Sequence, residues 1–205
     1  MEADLALENP DWFSVDQYNN LANPEGHYKS TGPEIFSQSN GEITHFVAAG
    51  STGGTISGTG AFLKEQNPAI KVILADPSGS VFKPYFQTGE LKKGTPFLVE
   101  GVGKANIPGA MDFGVVDGTV EVHDRETMRM CHKMAKTTGL CVGGSSGLNC
   151  VAAAKIAETS EEPAIIVTML CDSGVKYLSK VFSDKWLNEN HMTEGTEKWR
   201  EEFSI

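Results

Sequence analysis

Phe46-Val47-Ala48-Ala49-Gly50-Ser51-Thr52-Gly53-Gly54-Thr55-Ile56-Ser57-Gly58 decides the fold of this chain. An apolar run stops at a loop of small and hydroxylated residues, and a helical pattern over residues 56–66 begins where the loop ends. Gly50, Gly53 and Gly54 free the backbone for positive φ and for close approach to a ligand. The unpaired N–H groups of the helix start, at the positive end of its dipole, then face outward together. Ser51, Thr52 and Thr55 add hydroxyl donors. Such a loop suits a phosphate; the plain alternative is a glycine-rich turn that lets a helix pack on a sheet. A second apolar strand over residues 70–76 follows in order, which favours the phosphate reading.

Working outward, strand 44–49, helix 56–66 and strand 72–75 make a βαβ unit of the parallel-sheet kind. Asp76-Pro77-Ser78-Gly79-Ser80 ends the second strand, where open α/β sheets bind ligands. Upstream, Trp12-Phe13-Ser14-Val15 reads as a short strand and residues 16–28 as a polar, Asn-rich loop. Thr31-Gly32-Pro33-Glu34 reads as a helix start, with the helix running to about residue 39. Residues 81–110 read as loop. Val115-Val116 and residues 120–122 flank Asp117-Gly118, a hairpin or strand signal. Residues 126–138 form a helix with Met128, Cys131, Met134 and Ala135 on its core face. Gly143-Gly144-Ser145-Ser146-Gly147 is a second glycine loop, expected before an Ala-rich helix over 148–158. The apolar strand 164–170 delivers Cys171-Asp172-Ser173-Gly174 to the same sheet edge, with a helix over 175–186 and an acidic tail after it. The helical composition of residues 2–8 ends at Asn9-Pro10.

With 205 residues the chain can bury a sizeable core, and a net charge of −10 argues against a nucleic-acid-binding face. The cysteines at 131, 141, 150 and 171 lack metal or redox spacing and read as buried free thiols. The five histidines are scattered, so a metal site has little support. No apolar stretch approaches the ~20 residues that span a bilayer, so no membrane partner is expected. Met1-Glu2-Ala3-Asp4 has no signal-peptide pattern, and a cytoplasmic protein is expected, with an organellar compartment left open.

Two ligands compete for the glycine loop. Gly54-x-x-x-Gly58-x-Gly60 with Asp76 matches the loop of short-chain dehydrogenases. That reading needs Tyr-x-x-x-Lys, and Tyr177-Leu178-Ser179-Lys180 is one residue too short. The other ligand is a cofactor with a single phosphate. Ser51-Thr52-Gly53-Gly54-Thr55 resembles the phosphate cradle of the fold-type II pyridoxal-phosphate enzymes, above all the cysteine synthase and cystathionine β-synthase family. Asp16-Gln17-Tyr18-Asn19-Asn20-Leu21-Ala22-Asn23-Pro24 resembles that family's glutamine loop, and Thr31-Gly32-Pro33-Glu34-Ile35 its helix start. Glu100-Gly101-Val102-Gly103 with Ile107-Pro108, Val142-Gly143-Gly144-Ser145-Ser146-Gly147, and Asp172-Ser173-Gly174-x-x-Tyr177-Leu178-Ser179 continue the series in order. Phe182-Ser183-Asp184-Lys185-Trp186 leans towards the cystathionine β-synthase branch.

The resemblance implies an open, mostly parallel α/β sheet with helices on both faces, the large-domain half of a tryptophan synthase β-like enzyme. It divides the chain into residues 1–42, a remnant of the small substrate domain carrying the Gln17 loop and a connecting helix, 43–187, the cofactor-binding portion, and the tail 188–205. It implies pyridoxal 5′-phosphate as cofactor, held by Ser51, Thr52, Gly53, Gly54 and Thr55, with Ser173 facing the pyridine nitrogen. Gln17 is implied near the carboxylate of a small amino-acid substrate. The implied chemistry is β-replacement on serine or an activated serine with sulfide or homocysteine, in a homodimer. A hydroxyl at the ring nitrogen cannot keep it protonated, which favours elimination and addition over transamination. The bland alternatives are that Ser173 caps the helix that follows it and that Gln17 braces its own loop.

The family's reactive lysine sits in a Ser-x-Lys-Asp/Asn-Arg setting before the glutamine loop, and no lysine of this sequence stands in one. The Ser-Gly-Asn-Thr-Gly type of substrate loop is likewise unmatched. The sequence therefore resembles the C-terminal part of the catalytic core, and an isolated chain is expected to show no turnover and at best weak cofactor binding. An incomplete record is the favoured explanation, with a non-catalytic binding or regulatory module as the alternative.

Overall fold

The structure is a computed structural model that describes residues 7–193. Four parallel strands form one sheet in the order β3-β2-β1-β4: β1 His45–Ala49, β2 Lys71–Pro77, β3 Gly118–Val122 and β4 Ile166–Thr168. The helices are α1 Ala22–Lys29, α2 Thr31–Gln38, α3 Gly54–Gln66, α4 Phe82–Thr88, α5 Asp124–Thr138, α6 Gly144–Thr159 and α7 Asp184–Glu189. Short 3₁₀ turns lie at Phe113–Val115 and Gly174–Tyr177. Among these residues no helix is long and apolar enough to cross a membrane.

Strand periodicity divides the core in two. Phe46, Ala48, Val72 and Leu74 face one side, where Ile56 and Leu63 of α3, with Ile35 and Phe82, cover them. Val47, Ile73 and Ala75 face the other, covered by Met128 and Cys131 of α5 and Leu148, Val151 and Ala152 of α6. Side chains two apart share a face, so apolar runs on β1 and β2 need helices on both sides. The expected doubly covered parallel sheet is thus present.

Several sequence expectations need correction. The expected loop over 16–28 is helical from Ala22 onward, because α1 packs on α3 through two glycines. A Cβ on Gly54 would lie 1.8 Å from Asn23 Oδ1, and one on Gly58 1.9 Å from the Pro24 carbonyl oxygen. Residues 82–88 form α4 inside the expected loop, closed by Gly89 at φ +70°. Asp117-Gly118 makes no hairpin: β3 is a single strand that runs parallel to β2. The expected fully apolar strand over 164–170 shortens to β4, whose residues are half-buried because β4 is an edge strand of this sheet. The helix expected over 175–186 is a 3₁₀ turn and then α7, and residues 12–15 form no strand. Cys131 is buried and Cys150 half-buried, but Cys141 and Cys171 are exposed, so the expectation of four buried thiols does not hold. The expected helix 2–8 falls outside the described residues up to position 6, and the acidic tail does so from position 194.

Candidate functional site

The parallel register sets the site. β1 and β4 are neighbours, with Phe46 beside Val167 and Val47 beside Thr168. Their carboxyl ends therefore open the Ser51 loop and the Ser173 loop at one edge of the sheet, a strand spacing apart. Asn149 of α6 ties the two exits together. This side chain is 1% exposed, accepts the Ala49 N–H at 2.7 Å and donates to the Met169 carbonyl at 2.8 Å. Ser146 of α6 accepts the Cys171 N–H at 2.9 Å. Sequence reading missed both roles; a polar residue inside an otherwise apolar, Ala-rich helix was the available signal.

The glycine loop is built more tightly than a flexible phosphate loop needs to be. Gly53 takes φ +90°, and a Cβ there would stand 2.5 Å from Met111 Cα. Gly50 is filled by Phe82, whose ring would lie 2.8 Å from an added Cβ. These glycines accommodate protein on their Cα side, not only a ligand. α3 begins at Gly54, two residues earlier than the sequence suggests, so Gly54 and Thr55 lie in its first turn. The N-cap Gly53 has no side chain, the Gly54 N–H donates to Thr52 Oγ1 at 3.3 Å, and Gly53 and Gly54 are both buried. The further N–H groups of this helix start suit an anion, which fits a phosphate group.

The two threonines of the loop are each held from behind. Asn23 Nδ2 donates to Thr52 Oγ1 at 2.9 Å and to the Gln17 carbonyl at 2.8 Å. Thr55 Oγ1 lies 3.2 Å from His27 Nε2, and His27 Nδ1 lies 2.9 Å from Thr31 Oγ1. A neutral imidazole donates through one of these nitrogens and accepts through the other, so His27 links the two hydroxyls in either tautomer. Thr52 Oγ1 accepts from Asn23 and keeps its own proton for a ligand. Burial holds the His27 imidazole below its usual value, consistent with the neutral ring that this arrangement uses. Asn23 and His27 were also missed, the first inside a matched motif and the second set aside as one of five scattered histidines.

The remaining expected residues divide. Ser51 is half-buried at the loop entrance. Gln17 is exposed, and its carbonyl accepts from Asn23 Nδ2 at 2.8 Å. Ser173 is exposed and pairs with Val142 in an isolated antiparallel bridge. Its Oγ accepts the Val175 N–H at 3.3 Å, so the capping alternative is realised, and the hydroxyl proton stays available. Gln17, Thr52 and Thr55 are joined to one another through α1; Ser173 is brought to the same edge through Asn149 and Ser146.

The second glycine loop opens α6, likewise without a side-chain cap. The Gly143 N–H donates to the Asp172 carbonyl at 3.0 Å, and Asp172 Oδ1 lies 2.0 Å from where a Gly143 Cβ would stand. Tyr177 donates to Asp172 Oδ2 at 2.9 Å, and burial together with that carboxylate pushes the phenol up to about 12. Among the described residues no group of three metal-ligating side chains forms.

Asp76, at the end of β2, is 1% exposed, with Oδ2 accepting the Lys83 N–H at 2.8 Å and Oδ1 unpartnered. Burial raises its pKa to about 6, against smaller opposing effects of Ser80 and Lys83. A carboxyl whose folded pKa is raised stabilises the fold below its unfolded pKa, and that contribution disappears as pH rises through 6. The expected loss is about 2–3 kcal/mol between about pH 4 and pH 7. Asp76→Asn keeps the acceptor for Lys83 and should flatten this slope, as measured by urea unfolding across the range. An unchanged slope in the variant would assign the pH dependence to another group.

The sequence profile of the family described as "Pyridoxal-phosphate dependent enzyme" matches residues 1–172. The chain belongs to that family. Cysteine synthase 1 of Neurospora crassa is 38% identical over 191 residues, which cover 91% of this chain and 50% of that protein. Cystathionine beta-synthase of Apis mellifera is 39% identical over 184 residues, 89% of this chain and 36% of that one. Among solved structures, a hydrogen sulfide-producing enzyme captured with an alpha-aminoacrylate intermediate superposes with a TM-score of 0.81 at 34% identity. It is matched over 89% of this chain and 54% of its own. The O-acetylserine dependent cystathionine beta-synthase of Helicobacter pylori gives a TM-score of 0.79 at 35% identity, over 87% and 56%. The chain spans about half the length of the cysteine synthases of Neurospora crassa and Dictyostelium discoideum and about a third of the cystathionine beta-synthases of Apis mellifera and Rattus norvegicus. The lineage is one of pyridoxal-phosphate enzymes of sulfur amino-acid synthesis, and the short-chain dehydrogenase reading falls. Its glycines have another use here: Gly54 and Gly58 face α1, and Gly60 faces Val72 and Val115.

Proposed function

We propose that this chain forms the phosphate- and ring-nitrogen-binding side of a β-replacement site of the cysteine synthase and cystathionine β-synthase type. The observation that carries the reading is the buried, glycine-built start of α3, set between two threonines that Asn23 and His27 hold from behind. When bound, pyridoxal phosphate supplies an electron sink for loss of a substituent from the β-carbon of an amino acid. The first-turn amides of α3 and the hydroxyls of Ser51, Thr52 and Thr55 would hold its phosphate, and Gly53 and Gly54 would keep the loop flat enough to close on it. Ser173, its oxygen engaged by the Val175 N–H, would donate its proton to the pyridine nitrogen without protonating it. Gln17, exposed and joined to Thr52 through Asn23, would receive the carboxylate of L-serine or an O-acylated serine. The reading extends to a homodimer, to residues 1–42 as the substrate-facing part, and to residues 43–187 as the cofactor-facing part.

A lysine in the Ser-x-Lys-Asp/Asn-Arg setting does not occur in this sequence. The chain by itself is therefore expected to retain pyridoxal phosphate without turning over serine esters. Equilibrium dialysis tests the cradle directly. Thr52→Val and Thr55→Val each remove one hydroxyl at constant volume and should weaken retention about tenfold, and the double variant about a hundredfold. Inorganic phosphate should compete with the cofactor for the wild-type chain. Equal retention by the wild type and the double variant would remove the phosphate assignment.

A further inference from the structure

The carboxyl ends of β2 and β3 open a cavity of about 210 Å³ that shares no lining residue with the cradle. Its floor is buried and includes Asp76, Ser80 and Val81; its rim is exposed and carries Lys92 and Lys93. Main-chain packing fixes the rim to the floor. The Thr95 N–H donates to the Gly79 carbonyl at 2.9 Å, and a Cβ on Gly94 would stand 2.6 Å from that same carbonyl oxygen. Gly79 itself takes φ +105°, and a Cβ there would lie 2.6 Å from the Thr95 carbonyl oxygen. The two lysines are thus held over the end of β2 by backbone that has no room for side chains.

The charges in the wall are not matched to one another. Lys83 Nζ and Ser78 Oγ each donate to Glu121 at 2.6 Å, so the Lys83–Glu121 pair is complete. Asp76 is only half satisfied. Its Oδ2 accepts the Lys83 N–H at 2.8 Å, but Oδ1 has no partner, although the residue is 1% exposed. The nearby Ser80 oxygen already accepts the N–H groups of Phe82 and Lys104. A buried acceptor without a donor costs about 1–3 kcal/mol, and a ligand that brings the donor recovers it. At the rim, no carboxylate of the described residues lies within ion-pair distance of Lys92 or Lys93. One negative charge on the floor and two positive charges on the rim therefore remain for a ligand.

We propose that this cavity binds a small acidic amino acid, its ammonium against Asp76 and its two carboxylates against Lys92 and Lys93. One cationic and two anionic groups answer the lining group for group. The ammonium supplies the donor that Asp76 Oδ1 lacks, and burial makes that pairing stronger than one at the surface. Burial raises the Asp76 carboxyl to about 6, with Ser80, Lys83 and Glu121 beside it, so above about pH 7 it is ionised and ready for a cation. A divalent metal suits the wall less well. Asp76 and Glu121 are its two acids, Glu121 is already engaged, and no group of three metal-ligating side chains forms among the described residues.

Titration calorimetry of the chain with L-aspartate, L-asparagine and succinate tests the assignment group by group. Asparagine keeps the shape of aspartate without its side-chain charge, and succinate lacks the ammonium. The wild-type chain should bind aspartate about tenfold tighter than either, with the margin shrinking as salt is raised. Asp76→Asn should remove the margin over succinate. Lys92→Ala with Lys93→Ala, two exposed side chains whose loss leaves the fold intact, should remove the margin over asparagine. The Thr52→Val, Thr55→Val double variant should bind aspartate as the wild type does, because the cavity does not depend on the cradle. Loss of binding in that variant would place aspartate in the cofactor crevice and overturn the proposal. No binding of aspartate, equal binding of the three ligands, or an undiminished margin in the lysine variant would overturn it as well. Magnesium chloride titrated alone checks the rival occupant: uptake that disappears in Asp76→Asn, with no binding of aspartate, would give the cavity to a cation instead.

Discussion

Gly53→Ala should cost about 3 kcal/mol or more of stability and reduce pyridoxal phosphate retention at least a hundredfold. Two independent penalties meet at this position. At φ +90° an L-residue is strained by about 1–2 kcal/mol in any surroundings. The added methyl would also stand 2.5 Å from Met111 Cα and 2.6 Å from Met111 Cβ, so backbone has to move. That movement reaches the site by two routes. Asp112 N–H donates to Ser57 Oγ in α3 at 2.8 Å, and Ala110 N–H donates to the Tyr18 carbonyl in the glutamine loop. Gly89→Ala provides the internal control. Its φ is +70°, but nothing lies within 4 Å of an added Cβ, so only the conformational cost of about 1 kcal/mol applies. Urea unfolding and cofactor dialysis on both variants check the pair. Similar small losses in the two would show that the Met111 contact yields cheaply and that the loop is softer than its packing indicates.

Asn149→Ala should destabilise the chain by about 2–4 kcal/mol and loosen the link between the two loops of the site. The side chain is buried in α6 and satisfies a main-chain donor at the end of β1 and a main-chain acceptor just beyond β4. Removing it orphans both, and a buried unsatisfied group costs more than a hydrogen bond contributes. Asn149→Asp separates the two halves of the effect. It keeps an acceptor for Ala49, loses the donor to Met169 and places a charge beside the core. Both variants should unfold earlier in urea. In Asn149→Ala the Thr52 and Thr55 side of the cradle keeps its own supports in Asn23 and His27, so retention should fall less than in the double threonine variant. A loss of under about 1 kcal/mol would mean that water replaces the amide.

How far the sequence was legible follows from the range of the interactions involved. The βαβ unit, the glycine loop, the α2 start at Thr31-Gly32-Pro33 and the helix of residues 124–138 are written in local terms: strand period, turn residues, helix-start residues. Helix α1 was not, because Ala22-Asn23-Pro24-Glu25-Gly26 has weak helical propensity and forms against Gly54 and Gly58 of another helix. β3 likewise became a parallel partner of β2, where its turn-like start suggested a hairpin.

The sequence by itself determined the lineage, the order of the elements, the choice of hydroxyls and glycines after β1, and the lack of a lysine in the family's motif. These are properties of neighbouring residues, set by which conformations and hydrogen-bonding groups a short segment carries. Tertiary structure alone decided which side chains stand behind the cradle. Asn23 behind Thr52, His27 behind Thr55 and Asn149 between the two exits are contacts across 29, 28 and up to 100 positions of chain. Such pairings arise from closing the sheet and packing α1 on α3, and no local pattern encodes them because their energy appears only when distant segments are buried together.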